Sequence, residues 1–116
     1  MTIHGMIDLE TLDVKPSATV LSLGAIKFDP FSEDEPYSDL YLKILVDDQD
    51  RLGRTTSEST IEWWGRQDPA VMEEAFDQTD AVTVEEALRQ LNKWCVGIDE
   101  LWAQGYGFDI TMLEDM

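Results

Sequence analysis

The stretch Met6-Ile-Asp-Leu-Glu-Thr-Leu12 decides how the chain is interpreted. It places two carboxylates, Asp8 and Glu10, one residue apart in a short apolar segment. Successive side chains of a strand point to opposite faces, so Asp8 and Glu10 would emerge together while Ile7 and Leu9 pack on the other face. Two like charges side by side repel, and a chain usually tolerates them only in water or around a cation. The stretch therefore predicts a strand with a candidate site for a hard divalent ion such as Mg²⁺ or Mn²⁺.

The composition is that of a globular protein. The chain has 116 residues, of which 43% are hydrophobic, and this predicts a single domain over residues 1–116. We found no apolar run of the ~20 residues needed to span a bilayer and no signal-peptide pattern, so we expect a cytoplasmic protein without membrane association. The single cysteine, Cys95, excludes an internal disulfide and a cysteine-based zinc site, and its apolar neighbours predict a small buried side chain.

The net charge of −17, from 25 acidic and eight Lys and Arg residues, bears directly on possible partners. Proteins that grip nucleic acid through phosphates normally present a basic face. Either this chain contacts nucleic acid at few points and bound metal ions reverse the local charge, or it does not bind nucleic acid. Basic segments beyond residue 116 are a third explanation.

Periodicity predicts three strands followed by helices. Residues 3–11, 18–28 and 37–46 have strand patterns, and the last two are joined closely enough for an antiparallel hairpin. Ser59-Thr-Ile-Glu62 has the spacing of a capping box and predicts a helix through Gln67. Asp68-Pro69 opens a second helix, and Thr83-Val-Glu-Glu86 opens a third with apolar residues at helical spacing. A strand over 100–104, a tight loop over 105–107 and a helix from Phe108 complete the order.

A second acidic motif, Trp102-Ala-Gln-Gly-Tyr-Gly-Phe-Asp109, leads from that strand into the last helix. It places Asp109 near the C-terminal edge of the sheet, where open α/β sheets bind ligands. Taken alone, Asp109 is an ordinary first-turn acid favoured by the helix dipole. Together with Asp8 and Glu10, it supplies the third carboxylate that a two-metal phosphoryl-transfer site requires.

Four motifs together resemble those of one family: Asp8-x-Glu10-Thr11, Ser22-Leu-Gly24, Ile61-x-Trp63-Trp64-x-x-Gln67 and Trp102-x-x-Gly105-x-x-Phe108-Asp109-x-x-x-Leu113. The chain resembles the DEDD superfamily of 3′-to-5′ exonucleases, and within it the phage and prophage subgroup of exodeoxyribonuclease VIII-like proteins. The resemblance covers nearly the whole chain.

The resemblance implies a ribonuclease H-like α/β fold, in which three antiparallel strands precede a parallel strand and helices flank the sheet. It also implies two Mg²⁺ or Mn²⁺ ions, with Asp8 bridging both, Glu10 holding the water-activating ion and Asp109 holding the second. Thr11 and Leu12 would line the terminal nucleotide, and Phe108 belongs to the same substrate-binding set. The implied partner is single-stranded or 3′-terminal nucleic acid, in a bacterial or phage-infected cell.

The chain departs from this family's pattern at its C-terminal end. The remaining motif, a general-base His or Tyr shortly before a fourth carboxylate, is absent from these 116 residues. The only histidine, His4, precedes the first carboxylate, so it is expected to face solvent or pack on its strand. The last helix ends in acids at the negative end of its dipole, and the strand over 100–104 would leave an open sheet edge. We therefore expect a fold truncated at its C-terminus, or one completed by a homo-oligomer or another partner.

Adjacent Trp63 and Trp64 lie on one helix and point about 100° apart. Core packing of both is one interpretation, and stacking of one of them on a nucleobase in the cleft is the other, with Trp63 as the candidate. The leading functional prediction is a metal-dependent 3′-to-5′ exonuclease on DNA, or less favourably RNA, whose chemistry is incomplete in this chain. The alternative is an inactive acidic phage accessory protein that acts through protein interaction, and a calcium-binding domain is a third option.

Overall fold

The computed structural model describes residues 3–32, 34–103 and 108–116, and for 108–111 it describes the backbone alone. A four-stranded mixed sheet forms its centre, in the order β3-β2-β1-β4. The strands are β1 (His4–Thr11), β2 (Val20–Phe28), β3 (Tyr37–Lys43) and β4 (Glu100–Ala103). β1 pairs antiparallel with β2, β2 pairs antiparallel with β3, and β4 lies parallel to β1. This arrangement confirms the predicted α/β class and is that of a ribonuclease H-like sheet.

Five helices accompany the sheet in the described part of the chain. They are α1 (Val46–Arg51), α2 (Glu58–Gly65), α3 (Pro69–Phe76), α4 (Val84–Cys95) and α5 (Phe108–Asp115). None of the helices in the described residues is long and apolar enough to cross a membrane.

One face of the sheet carries the main hydrophobic core. Ile7 and Leu9 on β1 are 1% and 9% exposed, and they belong to a buried cluster that also contains residues of β2, β3, α4 and α5. The alternation along β1 puts Met6 and Asp8 on the opposite, solvent-accessible face. The prediction that Asp8 and Glu10 share one face of β1 is thus confirmed. Because side chains alternate along a strand, burial of Ile7 and Leu9 on one face places the two carboxylates on the other.

A register shift between Glu10 and Thr11 interrupts the pairing of β1 with β2. Val20 belongs to the main core, whereas its neighbour Leu21 joins a second buried cluster with Leu12, Trp64 and Ala75. Irregularities of this kind bend a strand and re-aim its side chains. Here the shift creates the second cluster, which anchors α2 and α3 next to the carboxylates.

The helix caps agree with the sequence in two cases and differ in one. Thr83 accepts from the backbone N–H of Glu86 at 3.2 Å, and Asp68 accepts from the N–H of Ala70 at 2.9 Å, as predicted. The capping box assigned to Ser59 was wrong, because α2 begins at Glu58 and Ser57 is its N-cap residue. Two serines in close succession offer equivalent hydroxyls, and the chain uses the earlier one.

The third strand ends earlier than predicted, at Lys43, and a short helix follows it. The side chain of Gln49 on this helix is fully buried and binds the backbone of Val20 twice: it accepts from the N–H at 2.7 Å and donates to the carbonyl at 2.8 Å. Helix α1 therefore satisfies backbone groups of Val20, the first residue of β2. The periodicity of residues 44–51 did not predict it, because its role depends on this long-range contact.

The last helix begins at Phe108, as predicted, while the predicted tight loop at 105–107 lies outside the described residues. The acid near its C-terminus has a partner, because Asp115 accepts a 2.8 Å hydrogen bond from a guanidinium nitrogen of Arg54. The same guanidinium donates to the carbonyl oxygens of Pro16 and Ala18. Arg54 therefore offsets the unfavourable helix-dipole interaction and fixes α5 against the β1–β2 connection.

Candidate active-site cleft

A cleft of about 610 Å³ opens where β1 ends and α2 packs against it. We call it the carboxylate cleft, and its lining residues are Asp8, Leu9, Glu10, Thr11, Val14, Ser59, Thr60, Trp63 and Trp64. The structure thus brings together four of the predicted site residues: Asp8, Glu10, Thr11 and Trp63.

The two carboxylates lie on the strand side of the cleft in different surroundings. Asp8 is exposed, whereas Glu10 is partly buried and one of its oxygens, Oε1, accepts a 2.8 Å hydrogen bond from Ser22 Oγ. Ser22 stands opposite Glu10 on β2 and is itself buried. The hydroxyl of Ser22, on the neighbouring strand β2, therefore fixes one oxygen of Glu10.

Helix α2 forms the other side of the cleft and separates the two tryptophans. Trp64 is 5% exposed, belongs to the second core cluster, and its indole Nε1 donates to the carbonyl oxygen of Thr11 at 2.9 Å. Trp63 is 51% exposed, and its ring meets the ring of Trp64 edge-on with centroids 4.9 Å apart. Of the two interpretations left open by the sequence, core packing holds for Trp64, while Trp63 presents an aromatic surface to the cleft.

Thr11 and Leu12, both predicted to line a nucleotide, occupy different positions. Thr11 lines the cleft, although its hydroxyl donates to the carbonyl oxygen of Asp13 at 2.8 Å. Leu12 is 4% exposed in the second core cluster, and its N–H and carbonyl bind Thr19 and Ser57. The Leu12 side chain thus lies beneath the cleft, and its proposed contact with substrate stays a prediction.

Asp13, in the connection between β1 and β2, supports the cleft and was not predicted from the sequence. It is 3% exposed, and its carboxylate accepts from the Thr55 hydroxyl at 2.6 Å and from the Val14 N–H at 2.7 Å. The Thr55 hydrogen bond, with help from Val14, lowers the pKa of Asp13 below its ordinary value against the opposing effect of burial. Asp13 thereby holds Val14, which lines the cleft. A carboxylate followed by a threonine 42 residues later carries no local signal.

The remaining predicted residues, Phe108 and Asp109, begin α5, and their side chains lie outside the described residues. No group of three or more His, Cys, Asp or Glu side chains placed to hold a metal occurs in the described part of the chain. Asp8 and Glu10 alone nevertheless fit the donor set of Mg²⁺, which commonly binds one or two protein carboxylates and completes its shell with water and substrate phosphates. They fall short of the 6 to 8 oxygen ligands that Ca²⁺ takes.

His4 lies far from this cleft, at the opposite end of β1. It is 4% exposed, its ring lies 5.6 Å from that of Phe28, and its Nδ1 accepts a 3.0 Å hydrogen bond from the indole of Trp102. Glu10 lies six positions farther along the strand, or about 20 Å away. Of the two predicted alternatives, exposure to solvent and packing on its strand, packing is confirmed. At this distance His4 cannot contact the carboxylates.

Two comparisons show that the chain is similar to known nucleases. Residues 3–116 match the model of the family described as the 3′-5′ exoribonuclease Rv2179c-like domain. The chain is also similar to the exodeoxyribonuclease of Enterobacteria phage T4, with 30% identity over 122 residues that cover 96% of this chain and 54% of that protein. The chain thus spans about half the length of this relative. Because the family match extends over nearly the whole chain, the chain belongs to the 3′-5′ exoribonuclease Rv2179c-like domain family.

Proposed function

We propose that the chain forms a metal-dependent 3′-to-5′ exonuclease domain of the DEDD superfamily, which removes terminal nucleotides from single-stranded or 3′-terminal nucleic acid. The observation that carries the proposal is the carboxylate cleft, which combines Asp8 and Glu10 on a strand with the half-exposed Trp63 ring on the facing helix. Residues 1–116 would form one exonuclease-like domain.

The chemistry is hydrolysis of the terminal phosphodiester, in which water attacks phosphorus and the 3′ oxygen of the preceding nucleotide leaves. Asp8 and Glu10 act as ionised oxygen ligands and not as proton donors. One or two Mg²⁺ or Mn²⁺ ions, when bound, supply activation of the water and neutralisation of charge on the attacking and leaving oxygens. We assign Asp109 as the third ligand, at the start of α5.

Trp63 supplies the means of binding a terminal base without reading its identity. Trp63 is 51% exposed, and base–aromatic stacking tolerates every base. Thr11 lies beside it in the cleft, and Leu12 and Phe108 complete the proposed substrate-binding set. Stacking also suits a chain with a net charge of −17, since it requires no basic surface.

The charge pattern in the cleft supports the need for a cation. Asp8 and Glu10 would repel a phosphodiester, and no Lys or Arg is among the described residues that line the cleft. A divalent ion on the two carboxylates reverses the local charge and gives the phosphate a partner. Both comparisons favour a nuclease over the accessory protein that acts by protein interaction alone.

The family is described by an RNA activity and the phage relative by a DNA activity. A direct comparison of RNA and DNA substrates therefore determines which sugar this chain prefers. Single strands of DNA and RNA with one sequence, labelled at the 5′ end, are incubated with the protein and Mn²⁺. The proposal predicts a ladder that shortens from the 3′ end and is lost when the 3′ terminus is blocked. The D8N variant should lose this activity, while D47N, a matched change at an exposed acid on α1, should retain it.

Three results would contradict the proposal. The first is shortening from the 5′ end, and the second is activity that D8N retains in full. The third is an absence of hydrolysis of either substrate by the parent protein over a range of Mn²⁺ and Mg²⁺ concentrations.

A further inference from the structure

Ser22 is a buried polar residue of β2. It stands opposite Glu10 in the β1–β2 ladder and is 2% exposed, between Leu21 and Leu23, which are 0% and 1% exposed. A buried hydroxyl loses its hydration and needs a hydrogen-bond partner. The partner that the structure provides is Glu10 Oε1, at 2.8 Å.

The direction of this bond is fixed by chemistry. An ionised carboxylate can only accept, so the single hydroxyl proton of Ser22 points at Oε1. A hydrogen bond to a charged acceptor is shorter and about twice as strong as one between neutral groups. It therefore selects one orientation of the flexible Glu10 side chain and leaves the second oxygen, Oε2, without a described hydrogen-bond partner.

We propose that Ser22 is a positioning residue, which holds Glu10 so that Oε2 is presented to a divalent ion in the carboxylate cleft. Carboxylates that bind metals are commonly oriented by hydrogen bonds of this kind. Asp8 lies on the same strand and face with no described side-chain bond, so the support given to Glu10 is specific to that residue. The inference rests on the proposed metal site and adds the group that orients one of its ligands.

Mn²⁺ affinity measured by calorimetry tests the proposal without reference to activity. The variants are S22A, S22T, E10Q and the double variant S22A/E10Q, with S32A as a control that makes the same chemical change outside the cleft. S22A should weaken Mn²⁺ binding roughly 10- to 100-fold, the usual cost of removing such a partner. S22T keeps the hydroxyl and should restore most of the affinity, while S32A should match the parent.

The double variant separates positioning from general disruption of the sheet. If Ser22 acts through Glu10, the removal of its hydroxyl has no further effect once the glutamate is neutralised, so S22A/E10Q should bind Mn²⁺ as E10Q does. Urea unfolding of each metal-free variant shows whether the sheet is intact. A loss of affinity in S22A that S22T rescues cannot arise from a merely structural role.

The outcomes also separate this inference from the proposed function. Parent-like affinity in S22A together with weakened binding in E10Q would overturn the positioning role and leave the metal site standing. An equal loss from S22A in the parent and in E10Q would likewise overturn it, because Ser22 would then act independently of Glu10. Failure of the parent to bind Mn²⁺, or parent-like binding in E10Q, would overturn both.

Discussion

The indole Nε1 of Trp64 donates a 2.9 Å hydrogen bond to the carbonyl oxygen of Thr11. Thr11 is the last residue of β1, one position beyond Glu10, and Trp64 lies on the helix that forms the facing side of the carboxylate cleft. This bond joins the two sides of the cleft directly. The buried Trp64 ring reinforces it by packing edge-on against Phe76 at 6.0 Å.

Replacement of Trp64 by Phe should destabilise the fold. The change removes the donor and leaves the Thr11 carbonyl without this partner, at a cost of about 1–3 kcal/mol in the free energy of unfolding. Urea denaturation provides the measurement. The matched change W63F, at a half-exposed ring with no described hydrogen bond from its indole, should stay within about 0.5 kcal/mol of the parent. Equal losses in the two variants would contradict the assigned division between core and cleft.

Removal of the Trp63 ring should weaken nucleic-acid binding while leaving the fold stable. Loss of one stacked base costs about 1–3 kcal/mol, so W63A should bind a short single strand roughly 5- to 150-fold more weakly. W63F retains an aromatic face and should fall between W63A and the parent. Fluorescence anisotropy of a labelled oligonucleotide with a cleavage-resistant phosphorothioate terminus measures the affinity. Parent-like binding by W63A would show that this ring carries no base.

The fold was largely predictable from the sequence because its main elements are locally encoded. The alternation of Ile7 and Leu9 with the two carboxylates identified β1 and its faces, and Thr83 identified the start of α4 through its own hydroxyl. Each of these signals lies within a few residues of the structure it specifies. The structure confirms both predictions, the faces of β1 and the start of α4, because neither depends on a distant partner.

The features that sequence reasoning missed depend on distant partners. Helix α1 is tied in place by Gln49, whose amide reaches the backbone of Val20, 29 positions away. Asp13 is held by Thr55, 42 positions away. Which of the two adjacent tryptophans is buried depends on how α2 packs against the sheet, and the sequence alone did not distinguish them. Contacts of this kind leave no periodic pattern, so the cleft's supporting residues emerge only from the structure.

The Asp13–Thr55 hydrogen bond should make part of the stability depend on acid pH. The pKa of Asp13 is lower in the folded state than in the unfolded chain, where it is about 3.9. The unfolded state thus binds the proton first, and the stabilisation is fully present above the unfolded pKa and is lost as pH falls through the folded pKa. T55V removes the largest cause of the lowered pKa.

Urea unfolding between pH 7 and about pH 2 tests this dependence. T55V should be less stable than the parent at pH 7, and the difference should narrow as the pH falls. T56V, the same change at the exposed neighbouring threonine, should run parallel to the parent. A constant difference between T55V and the parent at every pH would show that the bond does not act through Asp13 ionisation.

Two glycines of the sheet should differ sharply in their tolerance of a methyl group. A Cβ at Gly5 would lie 2.7 Å from the Trp94 ring and 2.8 Å from Ile98, so G5A overpacks the core and should cost about 1–3 kcal/mol. A Cβ at Gly24, opposite Asp8, would meet its nearest neighbour, Tyr41, at an ordinary 3.9 Å. G24A should therefore leave the thermal midpoint near that of the parent. A larger loss in G24A than in G5A would contradict the described packing of β1 against α4.

The central claim is that Asp8 and Glu10 together bind a divalent cation in the carboxylate cleft. Calorimetric titration of Mn²⁺ into the parent, D8N and E10Q tests it most directly, with D47N and E85Q as controls that make the same charge changes at exposed acids outside the cleft. We expect saturable binding by the parent and both controls, and a loss of at least about tenfold in affinity in D8N and in E10Q, comparable to the cost of losing a supporting group. Binding that is equally strong in all five proteins would contradict it.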